Sequence, residues 1–288
     1  MRHGEKFEYP YLESLASLAP LVDELVVNVG RGFDATLQNV QALPYQHMRI
    51  IERDWQIDVP EKKKGGLILS EQTNEALHAC TGDWILYLQA DEILHERNYT
   101  TIRQAIEQAP ATTEACVFSY VHFYGDYSIV QESRSVYRRE VRLIRAGLAH
   151  SVGDAQSFRK RDGSKLRAQL IDASIYHYGW VRHQTAMKEK TYFMDQLYHG
   201  APTVEAEKTG QPYTQDNYRY KHIWGLRSFQ GTHPLCMHKR IASHDERWAG
   251  LKEPIVVSLR DVVKILLDFF EKLTGIRLFE YRSYKLVR

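Results

Sequence analysis

Cysteine is scarce in this chain: Cys80, Cys116 and Cys236 are the only three, far apart and without a Cys-x-x-Cys pair. An odd, scattered set excludes a disulfide framework and favours a reducing compartment. An excess of charge of one sign is lacking too. The formal charge of +2 suggests no nucleic-acid partner. No apolar run approaches the ~20 residues that a membrane span needs. The opening MRHGEKFEYPYLES has no apolar h-region, so no secretory leader is expected. Internal repeats and low-complexity tracts are also missing. The expectation is a cytoplasmic chain, reaching at most the inner face of a membrane.

What is present reads as an ordinary globular composition, 43% apolar and 26% charged, over 288 residues, enough for one large domain or two smaller ones. Tyrosine is frequent at 18, with 5 tryptophans; such rings serve sugar or base contacts as well as core packing. Leu12, Leu15 and Leu18 recur at helical spacing before Pro20. Leu25 to Val29 is a β-branched run ending at Gly30, the pattern of a buried strand. Leu37, Val40 and Leu43 suit a helix, Met48 to Ile51 a strand, and residues 67–80 a helix capped by Gly82. Trp84 to Leu88 reads as a strand and residues 99–109 as a helix. Residues 115–124, 140–145 and 172–178 read as strands, with a turn at Asp162-Gly163. Strand and helix alternate to about residue 110 and strands dominate after it, which predicts an α/β fold with a mixed sheet. Ligands of such sheets bind outside the carboxyl ends of the strands. Residues 183–199 read as a helix and 200–220 as a polar loop. Leu259, Val262, Val263, Leu266, Leu267, Phe270 and Leu273 form one stripe of an amphipathic helix. Its balanced polar side favours docking on the protein's own core over an anionic membrane.

One stretch carries the chemistry. Thr81-Gly82-Asp83-Trp84-Ile85-Leu86-Tyr87-Leu88-Gln89-Ala90-Asp91-Glu92 is an apolar strand delivering two acids at its tip. Asp91 and Glu92 suit a helix start, a Mg²⁺ or Mn²⁺ site, or acid/base work by a pair. His177, in IYHYGW, is either a hydrogen-bonded core histidine or a ligand. The run Lys62-Lys63-Lys64-Gly65-Gly66 lacks the order of a Walker loop and reads as a solvated turn, or as a loop closing over phosphates. His222, His233, His238 and His244 match no zinc spacing, and a loop anchoring the C-terminal helix is preferred.

LVVNVGRGFDAT followed by EQTNEALHACTGDWILYLQADEIL resembles GT-A-type glycosyltransferases, specifically the inverting family 2. The likeness runs over residues ~5–110, with weaker echoes to ~180. It implies a Rossmann-like nucleotide-sugar fold. The catalytic domain would span 1–180, its donor half about 1–110 and its acceptor half about 111–180. A mainly helical extension, 181–288, would pack on it. Asp91 matches the second acid of the family's Asp-x-Asp motif, which holds the metal on the donor diphosphate. Gln89 and Asn28 stand where family acids stand, which lowers the site's negative charge.

By the same resemblance, Asn28, Glu52 or Asp54, and Asp83 would line the nucleoside pocket. Asp91 and His177 would hold Mn²⁺ or Mg²⁺ and the diphosphate, and Arg142 or Arg145 would face the phosphates. Trp180 and Tyr178 would stack on sugar. Asp154, in HSVGD, would be the base; its other reading is a Gly-Asp turn. Family members open with a strand ahead of the segment Arg2–Phe7, which implies a truncated start here and a sheet short of one strand near the nucleotide pocket. The implied reaction moves a sugar from a nucleoside-diphosphate sugar to a saccharide or lipid-linked hydroxyl in cell-envelope synthesis. The rivals are a nucleotidyltransferase, for which a Gly-rich basic loop after the first strand is wanting, and a transferase-like binding module without turnover, favoured by Gln89 and Asn28.

Overall fold

The computed structural model describes residues 1–57, 59–199, 220, 223–244 and 258–287. The loop expected at 200–220, Tyr220 apart, lies outside the described residues, as does His222. The alternation expected in the first part is present: α1 (Tyr11–Leu18), β1 (Leu25–Gly30), α2 (Thr36–Gln41), β2 (Met48–Arg53) and α3 (Leu67–Ala79). There follow β3 (Trp84–Leu86), β4 (Glu92–Leu94) and α4 (Tyr99–Glu107). Pro20 ends the first helical run, as a proline must. The β-branched β1 is buried almost throughout, which fits a strand covered on both faces.

The second part is built on two long strands, β5 (Ala115–Tyr124) and, after β6 (Asp126–Gln131), β7 (Arg139–Arg145), β8 (Ala149–Val152) and β9 (Ser157–Lys160), β10 (Arg167–Trp180). β5 and β10 run parallel from Ala115↔Ala168 to Tyr124↔Trp180. The other edge of β5 is divided between β7 at its start and β6 at its end, both antiparallel. β3 pairs antiparallel with β7, and β4 antiparallel with β10. β1 and β2 form a separate parallel pair. α5 (Gln184–His199) follows β10, and then come β11 (Leu226–Ser228), α6 (His238–Ala242), α7 (Leu259–Thr274) and β12 (Lys285–Leu286). The fold is mixed α/β. Leu94, Ile102, Phe118, Leu143 and Ile175 form one part of the core, and Tyr11, Leu15, Val27, Val29 and Val40 another.

Several expectations need correction. α3 stops at Cys80, whose backbone is extended (ψ 141°), before Gly82 can cap it. The Glu24 carboxylate takes the N–H and the hydroxyl of Thr81 instead, which turns the chain into β3. Asp91 and Glu92 do not begin a helix. Glu92 opens β4 opposite His177.

Arg142, expected at the diphosphate, is wholly buried. Its guanidinium donates to both oxygens of Glu92 at 2.9 and 2.8 Å and to the carbonyls of Val141 and Gln156. The rings of Tyr87 and Tyr120 lie 5.3 and 5.4 Å from it. An internal carboxylate on β4 needs a paired cation, and Arg142 is committed to it. Arg145 is also occupied, lying 4.4 Å over Trp84 and donating to Thr113 O.

α7 forms as expected but faces the other way. Asp268 and Glu271 on its polar side bind Arg134 at 3.4 and 3.0 Å, and Glu271 also binds Arg138 and Arg277. Leu259, Leu266, Phe269 and Leu273 are turned to solvent. Ion pairing around Arg134 overrides the apolar stripe in choosing the docked face.

The internal pair yields a stability prediction. Arg142→Met leaves the buried Glu92 without its cation, and should cost about 3–5 kcal/mol in urea unfolding. The double variant Arg142→Met/Glu92→Leu should recover most of that loss. Additive losses in the two single variants and the double would show that the two side chains do not act as a pair.

Candidate active site

A cavity of about 690 Å³ opens where the carboxyl ends of β1 and β3 meet α5. The chain leaves β3 through Leu88-Gln89-Ala90 and doubles back, with the Glu92 N–H bonded to Gln89 O and the Gln89 N–H to the Glu92 carboxylate. Glu92 therefore turns into the core and Asp91 turns toward the cavity. Tyr178 N–H from β10 holds Asp91 O at 2.9 Å.

Three basic groups surround the Asp91 carboxylate. Lys190 Nζ lies at 3.5 Å, Arg182 Nη2 at 3.6 Å and His177 Nε2 at 3.8 Å. Burial alone would raise this carboxyl, but Lys190, His177 and Arg182 outweigh it and hold the carboxyl at about 2. These neighbours therefore favour the ionised form of Asp91. Burial, with Arg182 beside it, pushes the Lys190 ammonium down to about 7 against the pull of Asp91. Tyr9 packs its ring beneath both cations, 4.5 Å from Arg182 and 5.2 Å from Lys190.

The tautomer of His177 follows from its partners. His122 Nε2 sits 2.6 Å from Tyr137 O, which can only accept, so His122 carries its proton there. Burial, helped by His177, keeps His122 neutral, down at about 3. Its bare Nδ1 then accepts from His177 Nδ1 at 2.9 Å. His177 Nε2 is then the nitrogen that faces Asp91, at 3.8 Å, and burial lowers the pKa of this imidazole while Asp91 raises it. An imidazole fixed through its other nitrogen is the arrangement of a metal-ligating histidine. The structure thus brings together Asp91 and His177, which stand far apart in sequence. They supply two donor atoms, and among the described residues no group of three or more His, Cys, Asp or Glu side chains converges on a cation. The donor set fits a cation that arrives with phosphate oxygens, not one caged by protein alone.

The remaining expected residues divide. Asn28, Gln89, Asp154 and Trp180 line the cavity. Asn28 donates to Gln72 through Nδ2, while its buried Oδ1 has no partner among the described residues. Gln89 Nε2 reaches Ala155 O at 3.4 Å. Asp154 accepts from Tyr198 OH at 2.9 Å and from its neighbour Gln156 N–H. Trp180 lies 5.5 Å from Lys190. Asp83 stands at the other end of β3 from Asp91, since the strand's length separates them. Glu52 and Asp54 are exposed, are clasped by Arg31 at 2.7 and 2.9 Å, and do not reach the cavity wall. Tyr178 is buried, stacked on Phe123 and bonded to His233. That bond, together with one from His244 to Asp126, makes the histidine segment an anchor onto β10 and β6. Lys62 is paired with Glu71 at 2.7 Å.

Sequence reasoning missed Lys190, Arg182, Trp55 and Phe193. The last two close the cavity mouth with rings 6.4 Å apart. Trp55, directly after the expected Asp54, lies so close over Gly30 that a Cβ there would meet its indole at 2.4 Å. Its aromatic character was the one available signal; Lys190 and Arg182 give none, because only the turn after β10 and the return of α5 bring Arg182 and Lys190 to Asp91.

No protein-family model matches the chain, and no curated protein matches it. Two solved structures of S. aureus TarS are similar. One is 16% identical over 72% of this chain and 40% of that chain, with a TM-score of 0.39. The other, of TarS 1–349, is 16% identical over 70% of this chain and 65% of that chain, with a TM-score of 0.37. The chain thus spans less than two thirds of either structure. Likeness of this degree carries no conclusion, and the functional reading rests on the site itself.

Gly179 permits the site's geometry. A Cβ on it would meet His177 Nε2 at 2.4 Å and Asp91 Oδ2 at 2.9 Å. Gly179→Ala should cost about 1–3 kcal/mol, as forced overpacking does, and should displace the His177 ring. An unchanged Tm together with an unchanged His177 imidazole NMR spectrum would contradict this geometry.

Proposed function

We propose that this chain is a glycosyltransferase, moving a sugar from a nucleoside-diphosphate donor to a hydroxyl by inversion. One observation carries the reading. An ionised carboxylate at a strand tip, a lysine and an imidazole beside it and a second carboxylate all line one cavity at the carboxyl ends of β1 and β3, with the buried Arg182 guanidinium behind Asp91. Such mouths are where open α/β sheets take their ligands. The resemblance of the Thr81–Glu92 stretch to GT-A transferases of family 2 agrees with it.

In this reading the nucleoside enters beside Asn28, whose free Oδ1 accepts from the base, and stacks near Trp55. Asp91 and His177 would hold a divalent cation on the diphosphate. That cation, Mn²⁺ or Mg²⁺, supplies charge neutralisation as the diphosphate departs. Arg182 adds fixed positive charge on the same side, and Lys190 adds more when protonated. Asp154, on the loop after β8, takes the acceptor proton as the hydroxyl oxygen attacks the anomeric carbon. Tyr198 orients its carboxylate through one oxygen. Trp180 offers a face to the sugar.

Among the described residues no helix is long and apolar enough to cross a membrane. A lipid-linked acceptor would be met at the outward stripe of α7, beside which Arg260, Lys264 and Lys272 supply charge that an anionic leaflet attracts.

Calorimetry with UDP, GDP, CDP and dTDP, with and without Mn²⁺, should find one nucleotide that binds, with affinity lowered at least about tenfold when EDTA removes the ion. Asp91→Ala should abolish the Mn²⁺ effect. Asp154→Asn should keep donor binding and lower turnover by about 10²–10⁴. Donor binding with no hydrolysis or transfer by the wild type, across several donors and acceptors, would favour a binding module. No binding of any nucleotide would remove the reading altogether.

A further inference from the structure

One edge of β5 changes partner partway along. β7 pairs with its start and β6 with its end, and residues 132–138 cross between the two. This crossing segment has no regular structure, yet it reaches the candidate site. Tyr137 lines the cavity, with its ring 4.7 Å from that of His122 and 6.2 Å from that of His177. Tyr137 O accepts from His122 Nε2 at 2.6 Å. His122 and His177 stand directly opposite each other on the paired strands β5 and β10, with their Nδ1 atoms 2.9 Å apart. A short relay thus runs from Tyr137 O through the two imidazoles to Asp91, 3.8 Å beyond.

Two neutral imidazoles joined in this way have two settings. In the first, His122 carries its proton on Nε2 and His177 on Nδ1, and His177 Nε2 is bare toward Asp91. In the second, His122 Nδ1–H donates to His177 Nδ1, and His177 Nε2–H is directed at the Asp91 carboxylate. The carboxylate by itself favours the second, since an ionised acceptor takes the stronger hydrogen bond. That setting closes Nε2 to any metal. The Tyr137 carbonyl opposes it, because a bare His122 Nε2 would face carbonyl lone pairs at 2.6 Å. The place of one backbone oxygen therefore decides which atom of His177 is open.

What holds that oxygen comes from the far end of the sequence. Arg134, three residues before Tyr137, is clasped by α7 and the turn after it. Its N–H donates to Asp268 at 3.2 Å, Nη2 to Glu271 at 3.0 Å and Nη1 to Leu278 O at 2.6 Å. Arg138, directly after Tyr137, donates to Glu271 at 3.2 Å, and its carbonyl accepts from the Tyr120 N–H at 3.0 Å. The arginines on both sides of Tyr137 are thus tied to one helix. Docking α7 by its acids leaves the apolar stripe in solvent, but it fixes this segment.

We propose that Arg134 is a positioning residue of the candidate site: clamped by α7, it holds the Tyr137 carbonyl on His122 and so keeps the His177 proton on Nδ1 and Nε2 open to a cation. The cation rests on the glycosyl-transfer reading; the setting of the relay does not.

Proton–nitrogen correlation spectra of the two imidazoles, taken where both rings are neutral, read the relay directly. In the wild type they should show protons on His122 Nε2 and His177 Nδ1. Arg134→Met breaks the clamp from the segment's side, and Asp268→Asn with Glu271→Gln breaks it from that of α7. Each should move the His177 proton onto Nε2 in a large share of molecules. Arg134→Lys, which keeps a cation between the two acids, should keep the wild-type spectra. Nucleotide affinity in EDTA should hold in both broken-clamp variants, while the gain on adding Mn²⁺ shrinks by about tenfold. If Arg134→Met does not fold, the α7 variant and the wild-type spectra carry the test. A wild-type His177 protonated on Nε2, or unmoved spectra in a folded broken-clamp variant, would overturn the proposal. So would an equal loss of nucleotide affinity with and without the ion, which marks a merely structural role. The expected spectra in a chain that gains nothing from Mn²⁺ would uphold the relay and sink the cation reading alone.

Discussion

Glu92 and Arg142, both sealed from solvent, form the constraint around which the site is arranged. Two charges in an apolar interior are tolerated only when every hydrogen-bonding position is filled. Here they nearly all are. Tyr120 OH and the Gln89 N–H complete the carboxylate, and the carbonyls of Val141 and Gln156 complete the guanidinium. These partners belong to β4, β5, β7, the turn after β3 and the loop after β8. The pair therefore ties the turn that carries Asp91 to the loop that carries Asp154. Because side chains alternate along extended backbone, sending Glu92 inward sends its neighbour toward the cavity.

Asp91 and Glu92 are adjacent acids with opposite surroundings. Glu92 meets one committed arginine in a closed core. Asp91 meets Lys190, Arg182 and His177 beside the cavity. One carboxylate against two basic side chains leaves the mouth receptive to a polyanion, which is the electrostatic case for a diphosphate there. The glycine at 179 lets β10 pass close enough for His177 and Asp91 to converge.

The cavity changes character along its length. Its mouth carries polar groups, while its body lies between β1 and β3 under apolar helices. α7 follows a different rule. Its acids found arginines on the body of the protein, and its apolar stripe was left outside.

The sequence by itself determined the alternation of strands and helices to α4, the long strand β5, the 172–178 portion of the longer β10, and the placement of Asp91 just beyond β3. These follow from local periodicity, β-branched runs and proline or glycine stops, which neighbouring residues set without help. It also singled out Asp91, His177, Asn28, Gln89 and Asp154, which the fold brings to one cavity. Short strands such as β8 and β9 were not legible, because a few residues do not make a period. Tertiary structure alone decided which polar groups meet. It matched Glu92 to Arg142 across β4 and β7, took Glu52, Asp54 and Asp83 away from the site, and brought Lys190 and Arg182 to Asp91. Burial and pairing of charge depend on residues tens of positions apart, and no local pattern encodes which cation an acid will find. For the same reason the stripe on α7 foretold a helix but not the direction it faces.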